Sequence, residues 1–233
     1  MKKSIDYPYL ISAINLLENK AVPRYDFHIH TSYTDGKAGV RQIFEKAIEF
    51  ELEAIAFTEH TEPWHNSDPE WFSQYVKEIR ECREIFKDKI KAYIGIEAPA
   101  ISFNGDLGAS DEMIEQAEFI LGAAHRYPGI EGRKVSELGN TEAIDLEFKT
   151  LMGLATNRTI HSIAHMGGTC SKYCTPFPAH LMREVIQQAV KNDIAIEINP
   201  VYHRPLKNFI ELCAEENANI TLGSNAHGFN DIG

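Results

Sequence analysis

Apolar residues along this chain follow two rhythms. Short runs rich in β-branched and aromatic residues predict strands at YDFHIH (25–30), AIAFT (54–58), KAYIGIE (91–97), FILGAA (119–124), TIHSIAH (159–165), IAIEIN (194–199) and NITLGS (219–224). Longer amphipathic segments lie between them, several with helix-start signals. Asp68-Pro69 reads as an N-cap and first-turn proline ahead of EWFSQYVKEIRECREIF, and Ser110 as the cap of DEMIEQAE. Asn140 or Thr141 caps EAIDLEFKTLMGLA, while Pro178 and Pro205 each open a further helix. At the front, Leu10, Ile14 and Leu17 are spaced as one face of an amphipathic helix within residues 1–22, laid on the domain. No long linker, internal repeat or low-complexity tract divides the chain, so residues 1–233 are expected to form one α/β domain with a parallel sheet and helical crossovers.

The polar residues sharpen this picture. At the C-terminal ends of the predicted strands stand His28 and His30, Glu59 and His60, Glu97, His125, His165, Glu197 and Asn199, and Asn225 and His227. Every strand contributes. A barrel gathers residues from all its strands at that rim, whereas an open sheet gathers only those near its switch point, so a closed or nearly closed barrel is favoured.

Composition narrows the class. Hydrophobic residues make up 43% of the chain, enough for one sizeable core. With 23 Lys and Arg against 34 Asp and Glu, the net charge of −11 disfavours nucleic acid and acidic membranes as partners, so an anionic ligand requires a local cationic site. Cys82, Cys170, Cys174 and Cys213 include no CxxC pair, which points to reduced thiols and a cytoplasmic location. Asp6 and Pro8 interrupt the basic start, no secretory leader is evident, and no apolar run is long enough to span a bilayer.

Residues i and i+2 of a strand project from one face, so His28 and His30 aim two imidazoles at one point. Six of the ten histidines fall at strand ends among carboxylates, where crowded imidazoles would be left unsatisfied unless they coordinate a cation. Mixed imidazole and carboxylate donors suit zinc, manganese or iron. His65, in a polar loop, His161, inside a strand, and His180, at a helix start, carry ordinary structural readings, and His203 is a candidate for touching substrate. Walker A, GxGxxG and GxSxG patterns are absent.

HIHTSYTDG, FTEH, GIE, LGAAH, SIAH and SNAH resemble, in this order, the metal-binding motifs of the PHP superfamily, the polymerase and histidinol phosphatase domain. The resemblance runs from about residue 25 to the end. It implies a distorted (β/α)7 barrel, TIM-like, that holds two or three divalent metal ions and hydrolyses phosphoesters. Carried over position by position, it implies one ion on His28, His30, Glu97 and Asn225, a second bridged by Glu97 and held by His125 and His165, and a third on Asp35, His60 and His227. The final motif usually reads Ser-Asp-Ala-His. Here Asn225 replaces the aspartate, which removes a negative charge and weakens the first ion's site. The chain ends at HGFNDIG, where the family continues into a last helix, so the final crossover is expected to be missing or replaced.

The expected reaction is metal-assisted hydrolysis of a small phosphomonoester, with histidinol phosphate one candidate. Arg126, Lys172 and Arg204 are the cations placed to hold phosphate, and Asp35, His203 and His227 are the candidate proton donors to the leaving group. The glycine-containing loop from Tyr127 to Gly139 is a candidate specificity lid. Two rival readings are a metal-binding or regulatory domain whose catalysis Asn225 has weakened, and a nuclease acting on single strands.

Overall fold

The computed structural model describes residues 10–18, 22–130 and 132–233. In chain order it contains β1 (Ile11–Ser12), α1 (Ala13–Glu18), β2 (Tyr25–Ile29), α2 (Val40–Glu49), β3 (Ala54–His60), α3 (Trp71–Phe86), β4 (Lys91–Pro99), α4 (Asp111–Gln116), β5 (Phe119–Ala123), a 3-10 turn (Val135–Glu137), α5 (Asn140–Leu154), β6 (Ser162–Ile163), α6 (Gly168–Tyr173), α7 (Ala179–Lys191), β7 (Ala195–Ile198), α8 (Leu206–Glu215) and β8 (Asn219–Leu222). The strands hydrogen-bond in the order β1-β8-β7-β6-β5-β4-β3-β2. All seven strands expected from the sequence are present, with shifted ends, and β1 is an antiparallel addition on β8. The chain divides into two compact units, each assembled from three separate stretches.

One unit comprises Pro23–Glu97, Ala109–Ile120 and Leu222–Gly233. Its strands β2 and β3 run parallel, as do β3 and β4. Every residue of β2 and β3 is buried, as expected for parallel strands covered on both faces. Helix α2 buries Val40, Ile43, Phe44 and Ala47, a single stripe at helical spacing. Helix α3 begins at Trp71, two residues beyond the expected start, because Asp68 and Pro69 form a preceding turn. There the Asp68 carboxylate accepts the Glu70 N–H at 2.9 Å. Ser110 caps α4 as expected, its Oγ accepting the Met113 N–H at 3.2 Å. Beyond β8, Ala226 pairs with β2 through His30 N–H to Ala226 O at 2.9 Å and Ala226 N–H to His28 O at 3.1 Å.

The other unit comprises Met1–Val22, Ala98–Gly108 and Leu121–Thr221. Strands β5, β6 and β7 are parallel neighbours. The strand expected over 159–165 shortens to Ser162–Ile163, since Asn157 to Ile160 form a turn and His165 has a positive φ of 24°. Pro178 and Pro205 open α7 and α8 as expected, while α5 starts at Asn140 behind Gly139. Helix α6 was not foreseen, because GTCSKY carries no apolar period. Of the helix expected within 1–22, only Ala13–Glu18 lies among the described helical residues. It packs on α8, with Ala13 buried and Leu17 exposed.

Candidate metal centre

In the unit built on β2, β3 and β4, side chains from three strand ends and the segments after β2, β3 and β8 converge. A register irregularity between Asp26 and Ile29 marks a bulge at the end of β2. His28 and His30 are 0% and 1% exposed, and their Nε2 atoms face each other at 3.1 Å. Glu97, on β4, brings Oε2 to 3.3 Å from the first and 3.6 Å from the second. Asn225 Oδ1 lies 3.1 Å from His30 Nε2. Donors in a tetrahedral shell with bonds of about 2.0–2.1 Å lie about 3.3–3.4 Å apart, close to the spacings among His28, His30 and Glu97, which could hold a metal ion. One neutral imidazole carries one ring proton, so hydrogen bonding alone cannot serve two facing nitrogens, a carboxylate and an amide oxygen together. Burial, with the neighbouring imidazoles of His60 and His28, holds the His30 pKa well below its usual value, despite Glu97. The ring is therefore neutral, the form that coordinates a metal.

A second group shares the same unit. The two oxygens of Asp35 face His60 Nε2 at 3.5 Å and His227 Nε2 at 3.4 Å. Burial alone would raise the Asp35 carboxyl, but hydrogen bonds with His227 and His60 and the charge of the imidazoles bring it below the usual carboxylate range. His227 Nδ1 sits 2.9 Å from Asn225 O, which fixes its proton on Nδ1 and turns Nε2 toward Asp35. His65, given an ordinary loop reading from sequence, corrects that expectation. It stacks on His60 with centroids 4.3 Å apart, and its Nδ1 is 3.8 Å from Asp35 Oδ2. Glu62, 5% exposed, brings Oε2 to 3.8 Å from His60 Nδ1, so His60, Glu62 and His65 form a further donor cluster. The HTEPWH spacing was the only trace of it in the sequence.

Buried carboxylates that touch no candidate ligand atom hold these loops in place. Glu59 Oε1 accepts the Thr31 N–H at 2.7 Å, and its other oxygen accepts the Thr34 hydroxyl. Burial raises its pKa to about 7, against those hydrogen bonds. Asp26 accepts the N–H groups of His28, Ser224 and Gly233 at 3.2, 3.0 and 3.0 Å, tying the end of β2 to the segment carrying Asn225 and His227. Gly36 lies so close to β2 that a Cβ there would meet His30 O at 2.4 Å.

In the other unit, His125 and His165 stack with centroids 5.5 Å apart, and His165 faces Tyr202 at 5.1 Å. Glu197 Oε2 accepts the His165 N–H at 2.6 Å, so this rim carboxylate orients backbone. His203 departs from its expected role as a proton donor. It is 4% exposed, its Nδ1 accepts the Asn199 N–H at 3.1 Å, and its Nε2 meets Met166 O at 3.1 Å. Its ring stacks on Phe209 at 3.7 Å, and burial lowers its pKa to about 4, so it packs as a neutral ring with both nitrogens engaged. Arg204 folds back onto Pro200 O at 3.1 Å, Lys172 lies over the Tyr173 ring at 5.2 Å, and Arg126 lines a pocket with His125.

The PHP domain family model matches residues 26–201. The histidinol-phosphatase of Lactococcus lactis subsp. lactis (strain IL1403) is 30% identical over 116 residues, 46% of this chain and 41% of the relative. That match spans less than half of the relative. A crystal structure of histidinol phosphate phosphatase from Lactococcus lactis subsp. lactis Il1403, complexed with zinc, L-histidinol and phosphate, superposes with a TM-score of 0.70 at 22% identity, covering 90% of this chain and 88% of that one. A candidate histidinol phosphatase from Listeria monocytogenes superposes at 0.72 and 17% identity, covering 90% and 97%. These likenesses show the fold, the distorted TIM-like α/β barrel expected from the sequence. The family match, over residues that include both ends of the His28, His30 and Glu97 constellation, establishes that this chain belongs to the PHP domain family.

Proposed function

We propose that the protein is a metal-dependent phosphoesterase that hydrolyses a small phosphomonoester, histidinol phosphate being one candidate. The observation that carries this reading is the convergence of His28, His30, Glu97 and Asn225 at 3.1 to 3.6 Å with neutral, buried imidazole. Family membership and the histidinol-phosphatase relative support the choice of reaction. One divalent ion would be held by those four residues and another by Asp35, His60 and His227, while His125 and His165 offer a third imidazole pair. Zinc, manganese and iron all suit these donors. When bound, such ions supply positive charge for the phosphoryl oxygens and make water acidic enough to attack at neutral pH.

The chain's own residues prepare that chemistry. Asp35 remains ionised between two imidazoles, and Asn225 O fixes the tautomer of His227. With His203 engaged on both nitrogens and Asp35 ionised, His227 remains the candidate proton donor. Glu59 and Asp26 hold the loops that position them. The net charge of −11 favours a small metabolite over a nucleic acid, and the cysteine pattern favours a reducing cytoplasm. Asn225 favours a second reading, a metal-binding domain with catalysis lost. Elemental analysis of the purified protein together with p-nitrophenyl phosphate turnover in added manganese or zinc separates the two. The enzyme reading requires bound metal and turnover that His60→Ala abolishes. Tight metal with no hydrolysis of any phosphomonoester tested would sink it.

A further inference from the structure

We infer that His65 is a fourth ligand of the ion proposed on Asp35, His60 and His227, delivered by the loop that follows β3. This rests on the metal-dependent reading and deepens it, by giving that ion one carboxylate and three imidazoles.

All of these groups lie in the unit built on β2, β3 and β4. Asp35 follows β2, His60 ends β3, His65 lies between β3 and α3, and His227 lies beyond β8. Asp35 is the hub. Its Oδ2 faces two imidazoles, His60 Nε2 at 3.5 Å and His65 Nδ1 at 3.8 Å, and its Oδ1 faces His227 Nε2 at 3.4 Å. Each spacing is longer than the about 2.7–3.2 Å of a good N–H···O bond and nearer to that of donors sharing one ion. His65 stands farthest out, and closing the set asks it to move inward by a few tenths of an ångström. Its side chain, 21% exposed on a loop, makes such a shift without disturbing a strand.

The loop brings His65 to the same side of Asp35 as His60. The two rings stack with centroids 4.3 Å apart and planes 22° from parallel, and the His65 N–H donates to Glu62 O at 3.1 Å, which fixes the turn.

The two nitrogens of His60 decide which carboxylate shares its ion. Nδ1 faces Glu97 Oε2 at 3.1 Å and Glu62 Oε2 at 3.8 Å, whereas Nε2 faces Asp35. A neutral imidazole has one proton and one lone pair. Carboxylates behind a ligating histidine hold that proton, so it sits on Nδ1 and the lone pair on Nε2 is directed to the side where Asp35 and His65 meet. Glu62 therefore orients His60, and His65 belongs with Asp35.

Cobalt(II) is the probe, titrated into chelator-stripped protein, with a competing chelator reporting affinity and visible absorption reporting the ligand set. His65→Ala should weaken one bound ion at least about tenfold, the loss that removing even an outer partner of a ligand causes, and should change its spectrum. The losses in His65→Ala and Asp35→Asn should combine less than additively, because both fall on one ion, while those in His65→Ala and His28→Ala should add. Added imidazole should restore the spectrum of His65→Ala, a rescue that a packing role for the ring does not provide. Circular dichroism checks that each variant is folded. Cobalt held by His65→Ala as tightly as by the wild type, while Asp35→Asn weakens it, overturns the inference and leaves the metal-dependent reading standing. A loss that imidazole does not reverse, or that adds fully to the Asp35→Asn loss, overturns it as well. Cobalt held no more tightly by the wild type than by Asp35→Asn and His28→Ala overturns the ion assignments themselves.

Discussion

Glu147 should set a pH dependence of stability that one substitution removes. It lies on α5, is 1% exposed, and accepts hydrogen bonds from Tyr127 OH and the Cys170 N–H. Burial raises its pKa to about 7 from an ordinary 4.5, opposed by those bonds and by the N–H groups of Gly167 and Thr169. The folded value exceeds the unfolded one, so the folded state binds the extra proton. Stability is then complete below about pH 4.5 and declines as pH rises through about 7. The gap between 4.5 and about 7, at about 1.4 kcal/mol per pH unit, amounts to about 3 kcal/mol, or roughly 6–12 °C in Tm for a chain of this size. Glu147→Gln keeps an acceptor for the same donors and cannot ionise. Urea unfolding of chelator-stripped protein, followed by tryptophan fluorescence from pH 5 to 8, should therefore give curves that meet near pH 5 and diverge by about 3 kcal/mol at pH 8, with the variant more stable. Parallel curves would refute the reasoning, because other titrating groups contribute equally to both proteins.

Three further outcomes follow from the site. Asn225→Asp places a carboxylate beside His30 and should tighten zinc or manganese binding by about tenfold or more in a competitive chelator titration; unchanged or weaker binding contradicts the ligand assignment. Removing bound metal with a chelator should lower the Tm, by the equivalent of about 4 kcal/mol if free metal had stood a thousandfold above Kd, and a Tm unmoved by metal would show that the donor set holds none. Gly36→Ala drives a methyl into the His30 carbonyl and should cost about 3 kcal/mol in urea unfolding, whereas a near-neutral substitution would mean that this turn yields readily.

His28, His30, His60 and His227 were legible because imidazole at a strand end has few structural uses, and several at successive ends imply a shared centre. The strands were legible for a similar reason, since continuous apolar runs such as AIAFT mark buried parallel strands. Carboxylates were harder to place. Glu97 turns its oxygen toward the imidazoles of His28, His30 and His60, while Glu59 and Glu197 satisfy backbone N–H groups, and these roles differ by side-chain direction, which no spacing encodes. His65 and Glu62 were missed because they sit in a loop with no periodicity, and only the path after β3 brings them to His60. His203 misled in the opposite direction, since its place after a strand matched the rim while its nitrogens were taken by Asn199 and Met166.

The backbone at Asn225 has φ of +56°, a conformation that asparagine, aspartate and glycine adopt readily and bulkier side chains resist. Few substitutions are therefore open to this position, and one of them swaps an amide for an acid of nearly the same shape. If the proposed ion sits there, this position is a charge dial, by which a single substitution would retune how strongly that ion is gripped while the surrounding backbone stays as it is.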